Sequence, residues 1–278
     1  MGRADLFVLG GGGLLQDKTS SRSLVYYLAL IAAARLSLCE VVLYALGVES
    51  ITNRFWCWAL PFILAGRRVT LSVRDSESKE ILESIGVKSK PIHVTGDPVF
   101  LHELKAPAAV VLPNRTPSAL IIPRFPSAPG GRLLYRRIAS VLSREYGLRV
   151  QWLLFQFPVE WKYISSLVPE ESVLWFDIHS SKEALENLVQ TVAQFDYVVS
   201  ARFHGLVLAS LAGRPFMGVG DVNKVGRLCH RMDMPFLDWG AGEREIQGQI
   251  AHLSTKFLHN APLSAVKEAA SQTIQLMR

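Results

Sequence analysis

The sequence has few of the features that mark several large classes of protein. Its 278 residues include three cysteines, Cys39, Cys57 and Cys229, and no two of them have the Cys-x-x-Cys spacing of a zinc or redox site. This argues against a disulfide framework and fits a reducing cytosol. Charged residues make up 19% of the chain and hydrophobic residues 49%, a balance typical of a folded protein rather than a disordered or fibrous one. We therefore expect one large or two ordinary domains.

Long hydrophobic runs are also missing. The two most apolar stretches, 24–34 and 55–65, fall well short of the about 20 residues that a membrane-spanning helix requires. Met1 is not followed by the charged and then apolar pattern of a secretory signal. We interpret both stretches as buried helices and predict a cytoplasmic protein, and peripheral contact with the inner face of the membrane stays open as the alternative.

The chain is basic but has no basic run. Its net charge is +6 and its isoelectric point is near 9.3, which on their own could suit a nucleic acid, an anionic membrane or anionic small molecules. The arginines are dispersed along the whole chain. Dispersed arginines fit single contacts to small anions better than a nucleic-acid face, so we predict no nucleic-acid partner.

Short β-rich runs alternate with helical patterns along most of the sequence, which predicts an α/β protein with a mostly parallel, doubly wound sheet. The alternation breaks at a proline-rich stretch that has no helical period. We place a linker at 105–118 there, between an N-terminal Rossmann-like domain at 1–104 and a C-terminal Rossmann-like domain at 119–278 that ends in two closing helices.

The stretch 198–228 contains the strongest candidate for a ligand-binding turn. It predicts a strand, a turn that holds Arg202 and His204, and then a helix. In an open α/β sheet such a turn lies at the carboxyl ends of the strands, where ligands collect. A cation and an imidazole at the first turn of a helix suit an anion. The alternative is that Arg202 pairs with a nearby carboxylate and His204 is structural.

Two further turns have the same character. A predicted strand runs into four glycines, Gly10 to Gly13, as phosphate-binding turns do, although neither the Walker A pattern nor the dinucleotide fingerprint is present. The alternative is a turn that only requires positive φ angles. Arg74 likewise ends a predicted strand at the entrance to a helix, and either pairing with Asp75 or Glu77 or a ligand role would explain it.

Six ordered segments resemble one known family. They are GGGGLLQD at 10–17, SVRDSES at 72–78, VTGDPVF at 94–100, IIPR at 121–124, SARFHG at 200–205 and GVGDVNK at 218–224. In order and rough spacing they are similar to the polysaccharide pyruvyl transferases of the bacterial cell-wall type. The resemblance implies a glycosyltransferase-B-like fold, with two Rossmann-like domains that face each other across a cleft.

The resemblance also implies an activity and its residues. Members use phosphoenolpyruvate as co-substrate to build a cyclic pyruvate ketal on a sugar of a cell-envelope polymer or its lipid-linked precursor, with no further cofactor. It points to Arg202 and His204 as catalytic residues. It points to a substrate-binding set comprising Arg74, Lys224, Arg124, Gly11, Gly12, Gln16 and Asp17. Asp17, Asp97 and Asp221 are too scattered to predict a metal site.

One departure from the family keeps other functions open. Members usually have a strand and a helix start before the glycine-rich turn, whereas this sequence reaches that turn at residue 10, so we expect its N-terminal domain to lack the first β-α unit. The alternatives are a glycosyltransferase that uses a nucleotide sugar, since fold alone does not decide function, and a non-catalytic carbohydrate-binding relative.

Overall fold

The structure is a computed structural model that describes residues 4–17, 21–101, 115–125, 130–175, 184–221, 224–256, 264 and 267–272. The chain forms two compact units, one of Met1–His102 with Ser264–Arg278 and one of Glu103–Leu263. Residues 264–278 therefore group with the first unit, whereas the sequence placed them in the second. Ala270 is fully buried there, and a Cβ on Gly96 would lie 3.2 Å from its amide nitrogen. Most of the predicted linker, 105–114, lies outside the described residues.

The first unit is built on one parallel sheet. Its strands lie side by side in chain order, and each is joined to the next by a helix. The elements are β1 (Leu6–Gly10), α1 (Ser21–Leu36), β2 (Glu40–Leu46), α2 (Arg54–Leu64), β3 (Val69–Val73), α3 (Ser76–Ser84) and β4 (Ile92–Val94), followed by a short 3-10 helix, Pro98–Leu101.

Helices α1 and α2 do not behave as the sequence predicted. Each buries one side in the core that covers β2 and β3, with Leu28 of α1 and Leu60 of α2 among the buried residues. The opposite side of α2 exposes large aromatic rings. The expectation of buried helices is wrong, because apolar composition alone does not show on how many sides a helix is covered.

The second unit is a six-stranded parallel sheet. Its strand order is β10-β9-β8-β5-β6-β7. The elements are β5 (Ser118–Ile122), α4 (Gly131–Arg144), β6 (Arg149–Leu154), α5 (Trp161–Ile164), a 3-10 helix (Glu170–Ser172), β7 (Val173–Trp175), α6 (Ala184–Ala193), β8 (Tyr197–Ser200), α7 (Phe203–Leu211), β9 (Phe216–Val219), α8 (Lys224–Arg231), β10 (Phe236–Leu237) and α9 (Glu243–Thr255). The two-residue strand β10 was not predicted.

This order has the doubly wound Rossmann topology. The chain builds outward from β5 to β6 and β7, then returns to β8 on the other side of β5 and continues to β9 and β10. The direction of winding therefore reverses between β5 and β8. Ligands of open α/β sheets bind at such a reversal, outside the carboxyl ends of the strands. Ile122 and Ser200 end the two strands at this point.

The described part of the chain lacks a membrane-spanning helix and a metal-ligand cluster. Across those residues, no helix combines the length and the apolar character that crossing a bilayer requires. The same residues contain no cluster of three or more histidine, cysteine, aspartate or glutamate side chains that could hold a metal ion.

Candidate active site

Arg202 lies in the turn between a strand and a helix that the sequence predicted, and the strand order places this turn at the reversal point of the second unit. It follows β8 and is the N-cap residue of α7. Its Nε donates to the carbonyl oxygen of Pro123, just beyond β5, over 3.0 Å, and its Nη2 donates to Glu160 Oε1 over 2.5 Å and to Gln156 Oε1 over 3.2 Å. Among the described residues, Nη1 has no hydrogen-bond partner. The guanidinium is therefore fixed in place with one edge left for a ligand.

Glu160 is the group that fixes it. This carboxylate is fully buried, and its second oxygen accepts from the backbone amides of Phe155 and Gln156, each over 2.9 Å. A buried carboxylate needs both a counter-charge and hydrogen bonds, and the segment after β6 together with Arg202 supplies them. The alternative interpretation of Arg202 is therefore correct in one respect, because the arginine does pair with a carboxylate.

His204 is the second residue of α7 and is exposed. Its ring meets the Phe203 ring edge-on, with centroids 5.8 Å apart. The next residue, Gly205, packs so closely on the Ser200 hydroxyl that an added Cβ would overlap it. That hydroxyl accepts from the Arg202 amide over 3.0 Å. The strand, the turn and the first helical turn therefore hold His204 and Arg202 in one fixed segment.

Arg124 follows β5 and is exposed. Its backbone amide donates to the Tyr135 hydroxyl over 3.1 Å. Burial raises the pKa of Tyr135, and the negative charge of Glu160 raises it further. The hydrogen bond from the Arg124 amide and the positive charges of Arg202 and Arg124 act in the opposite direction. The Tyr135 hydroxyl therefore lies within electrostatic reach of Arg124, Glu160 and Arg202.

Lys224 lies at the same edge of the sheet. It opens α8, a few residues after the end of β9, and is half-buried. Strands β6, β5, β8 and β9 are consecutive neighbours, each about 4.8 Å from the next. Glu160, Arg124, Arg202 and Lys224 follow these four strands in that order, so all of them lie at one carboxyl edge.

Arg74 belongs to the first unit. It directly follows β3, and its side chain is only 9% exposed. Its Nε donates to Asp75 Oδ2 over 3.2 Å, and Nη1 lies 4.0 Å from Asp97 Oδ2. Asp75 also caps α3, because its other oxygen accepts from the Ser78 amide over 2.8 Å. The sequence predicted the Asp75 pairing as one of its two alternatives.

Gly47 lies in close contact with the Arg74 guanidinium. A Cβ at that position would lie 2.6 Å from the guanidinium carbon of Arg74. The Gly47 amide donates to the carbonyl oxygen of Gly12 over 2.8 Å, which ties the glycine-rich turn to the turn after β2. Only glycine leaves room for Arg74 to lie flat on the backbone here.

The glycine-rich turn itself has structural reasons for its residues. Gly11 and Gly12 have φ angles of 76° and 67°, as the alternative interpretation of this turn required. Asp17 caps the loop before α2, accepting from the amides of Thr52 and Asn53 over 2.9 and 2.8 Å. Gln16 is half-buried beside it. The substrate role of these residues stays a prediction.

Burial would raise the pKa of Asp17, but the hydrogen bonds from Asn53 and Thr52 together lower it below its ordinary value. Asp17 is therefore held as a carboxylate that supports local structure.

The sequence interpretation missed Glu160 and Gly47. Glu160 lies in no motif of the sequence, and nothing in the sequence links it to an arginine 42 residues further on. A glutamate between apolar residues, Pro158-Val159-Glu160-Trp161, was the available signal, because a charge that becomes buried among such residues needs a partner. Gly47 showed no signal, since its role depends on a side chain from another strand.

Comparison with solved structures defines the fold class of the protein. The chain resembles the UDP-GlcNAc 2-epimerase of Methanocaldococcus jannaschii, with a TM-score of 0.63 and 13% identity over 98% of this chain and 77% of that one. For the UDP-GlcNAc 2-epimerase of Neisseria meningitidis bound to UDP-GlcNAc, the TM-score is 0.63 and the identity 13%, over 98% of this chain and 76% of that one. For Anabaena Alr3699/HepE in complex with UDP and glucose, the TM-score is 0.53 and the identity 14%, over 98% of this chain and 73% of that one. The protein thus has the glycosyltransferase-B fold of two Rossmann-like domains.

The family follows from the sequence match. The model of the polysaccharide pyruvyl transferase family matches residues 3–221, which include every predicted site residue except Lys224. The chain belongs to this family, as the resemblance indicated. A search of curated proteins gives no significant match.

Proposed function

We propose that this protein transfers the enolpyruvyl group of phosphoenolpyruvate onto two hydroxyls of a saccharide in a cell-envelope polymer or its lipid-linked precursor. Family membership supports the reaction class. The observation that carries the proposal is at the carboxyl edge of the second unit's sheet, where Glu160 fixes Arg202 beside an exposed His204 at the first turn of α7. A fixed guanidinium can bind the anionic groups of phosphoenolpyruvate, and an imidazole can transfer the proton that the reaction needs.

The donor suits these cations. Phosphoenolpyruvate carries a carboxylate and a phosphate on three carbons, and the planar fork of arginine can bind two oxygens of either group. We assign that contact to the open edge of Arg202, with Arg124 and Lys224 as further cations at the same carboxyl edge. The amides at the start of α7 add a partial positive charge. Arg74 remains a predicted donor-binding residue, with its own test below.

The chemistry balances without an oxidant or a further co-reactant. The methylene carbon takes a proton, and the central carbon forms two bonds to sugar oxygens while its bond to the phosphate oxygen breaks. Of the two protons lost by the sugar hydroxyls, one balances the proton added to the methylene carbon and the other leaves with phosphate. We assign the proton transfer to His204, because an imidazole exchanges protons near neutral pH. Each ketal therefore releases one phosphate.

The His204→Ala variant tests the assignment. We expect phosphate release in the presence of acceptor to fall by roughly 100- to 10,000-fold, the range that general acid-base catalysis usually contributes, while phosphoenolpyruvate still raises the melting temperature. His252→Ala, an exposed histidine on α9, is the matched control and should keep wild-type turnover. Wild-type turnover in His204→Ala would contradict the role of the imidazole.

A ligand titration separates the proposal from its closest rival. The solved structures of similar fold include complexes with UDP and UDP-sugars, so a nucleotide sugar is the natural competitor. We expect phosphoenolpyruvate to stabilise the protein against heat and UDP-sugars to leave it unchanged. Stabilisation by UDP-sugars alone would favour a nucleotide-sugar enzyme. Stabilisation by phosphoenolpyruvate without phosphate release in the presence of acceptors would favour a non-catalytic relative.

A further inference from the structure

Helix α2 of the first unit has an aromatic stripe on its outer side. Phe55, Trp58 and Phe62 follow each other at helical spacing and are 57%, 65% and 63% exposed. Their rings form a contiguous row, with centroids 6.2 Å apart between Phe55 and Trp58 and 5.2 Å apart between Trp58 and Phe62. Large aromatic side chains are rarely left in water as a group, and such a patch marks an interaction surface.

The neighbouring helix extends this surface. The winding of the sheet from β1 through β2 to β3 places α1 and α2 on the same face, and the two helices pack against each other. On the outer side of α1, Tyr26 is 60% exposed, and Val25 and Arg22 are exposed beside it. Aromatic residues with an arginine on a helix that lies flat are typical of membrane-interface helices.

The charge around the stripe is positive on balance. Neither α1 nor α2 contains an acidic residue. Between residues 17 and 75 the sequence has seven lysines and arginines against Asp17, Glu40, Glu49 and Asp75, so this fifth of the chain carries +3 of the total charge of +6. Arg54 precedes the stripe, and Arg67 follows it; both are exposed. This surface is complementary to an anionic partner.

The stripe is also held rigidly. Arg35 of α1 donates through Nη1 to the carbonyl oxygens of Phe62 and Ile63, over 2.8 and 2.6 Å. Lys90 donates to the carbonyl oxygen of Gly66, just beyond the helix, over 2.7 Å. The Asn53 side chain caps the other end by accepting from the Phe55 amide over 2.9 Å. A helix fixed at both ends presents its aromatic rings without an ordering step.

We infer that the aromatic stripe Phe55-Trp58-Phe62, with the flanking arginines, is a docking surface for an anionic lipid bilayer, on which α2 lies in the interface plane. The aromatic rings enter the boundary between headgroups and acyl chains, and Arg54 and Arg67 contact lipid phosphates. No turnover is involved, so this surface is independent of the proposed transferase reaction.

Vesicle sedimentation tests the inference with the full chain. We expect binding to vesicles of phosphatidylglycerol and phosphatidylcholine, and much weaker binding to phosphatidylcholine alone. The variant Phe55→Ser/Trp58→Ser/Phe62→Ser should lose at least tenfold in binding to the anionic vesicles. The matched control is Phe157→Ser/Trp175→Ser in the second unit, which removes another exposed aromatic pair, with ring centroids 5.3 Å apart, and should bind like the wild type.

Two further variants test the charge of the surface and the depth of insertion separately. Arg54→Gln/Arg67→Gln should bind anionic vesicles roughly 30-fold more weakly, since each cation near such a surface contributes about 1 kcal/mol. Brominated acyl chains should quench tryptophan fluorescence in the wild type and less in Trp58→Phe. Circular dichroism and melting temperature verify that each variant is folded.

Three results would overturn the inference. One is a wild-type protein that ignores anionic vesicles, and another is a triple variant that binds them as well as the wild type does. The third is a wild-type oligomer that the triple variant dissociates while neither binds lipid, which would make a second copy of the chain the partner. Since vesicle binding needs neither phosphoenolpyruvate nor acceptor, none of these outcomes bears on the transferase proposal.

Discussion

The two units each place an arginine at the end of a strand, but they hold it in different ways. Arg74 pairs with its neighbour Asp75, which also caps the helix that follows. Arg202 pairs with Glu160, a fully buried carboxylate from a segment 42 residues earlier in the chain. The hydrogen-bonded partner of Arg74 is adjacent in sequence, whereas that of Arg202 is reached only once β6 and β8 lie in the same sheet. We therefore expect the two sites to respond very differently to substitution.

The largest effect is expected at Glu160. Glu160→Gln keeps the shape but leaves the mostly buried guanidinium of Arg202 without its counter-charge, and breaking a buried pair in this way costs about 3 kcal/mol of unfolding free energy. Denaturant unfolding followed by circular dichroism measures it. Phosphoenolpyruvate should also lose its stabilising effect, because Arg202 is no longer held toward the ligand.

A double variant separates the ion pair from its surroundings. Glu160→Gln/Arg202→Met should regain part of the stability lost in Glu160→Gln, since it removes the uncompensated cation while the glutamine oxygen can still accept from the Phe155 and Gln156 amides. If Glu160→Gln unfolded at the wild-type denaturant concentration, the buried ion pair would not be what holds this edge together.

A smaller effect is expected at the first unit. Gly47→Ala places a Cβ 2.6 Å from the guanidinium carbon of Arg74, and the flexible end of that side chain is what must move. We expect a loss of about 1 kcal/mol or less together with weaker stabilisation by phosphoenolpyruvate. Thermal melts with and without this ligand measure both.

Gly248→Ala is the control for Gly47→Ala, because a Cβ at that position of α9 meets nothing within 4 Å. Unchanged phosphoenolpyruvate stabilisation in Gly47→Ala would argue that the position of Arg74 does not matter to the donor.

The smallest effect is expected at Asp17, and it depends on pH. Its pKa is lower in the folded protein than in the unfolded chain, so its contribution is fully present above the unfolded pKa and is lost as the pH falls through the folded one. Asp17→Asn should therefore be less stable than the wild type at pH 6. The difference should shrink between about pH 4 and pH 2, the range below the ordinary aspartate pKa. A difference that grows toward acid would contradict the hydrogen-bonding account of this carboxylate.

The same contrast explains how much of the molecule could be predicted from its sequence. The parallel α/β architecture and the positions of Arg74, Arg202 and His204 at strand ends were predicted, because local hydrophobic periodicity and turn residues encode them. The partner Asp75 was foreseen because it is adjacent. Glu160 and Gly47 were not, since their roles arise only when the sheet brings distant turns to one edge. The exposed side of α2 was missed because composition does not reveal which face is covered.

The most direct measurement is product analysis after incubating the full chain with phosphoenolpyruvate and candidate lipid-linked saccharides. The account predicts that each phosphate released is matched by one pyruvate ketal on the saccharide, seen as a mass gain, and that Glu160→Gln and His204→Ala reduce both signals together. A saccharide that gains a hexose from a nucleotide sugar, or that gains nothing while phosphoenolpyruvate stays intact, would contradict it.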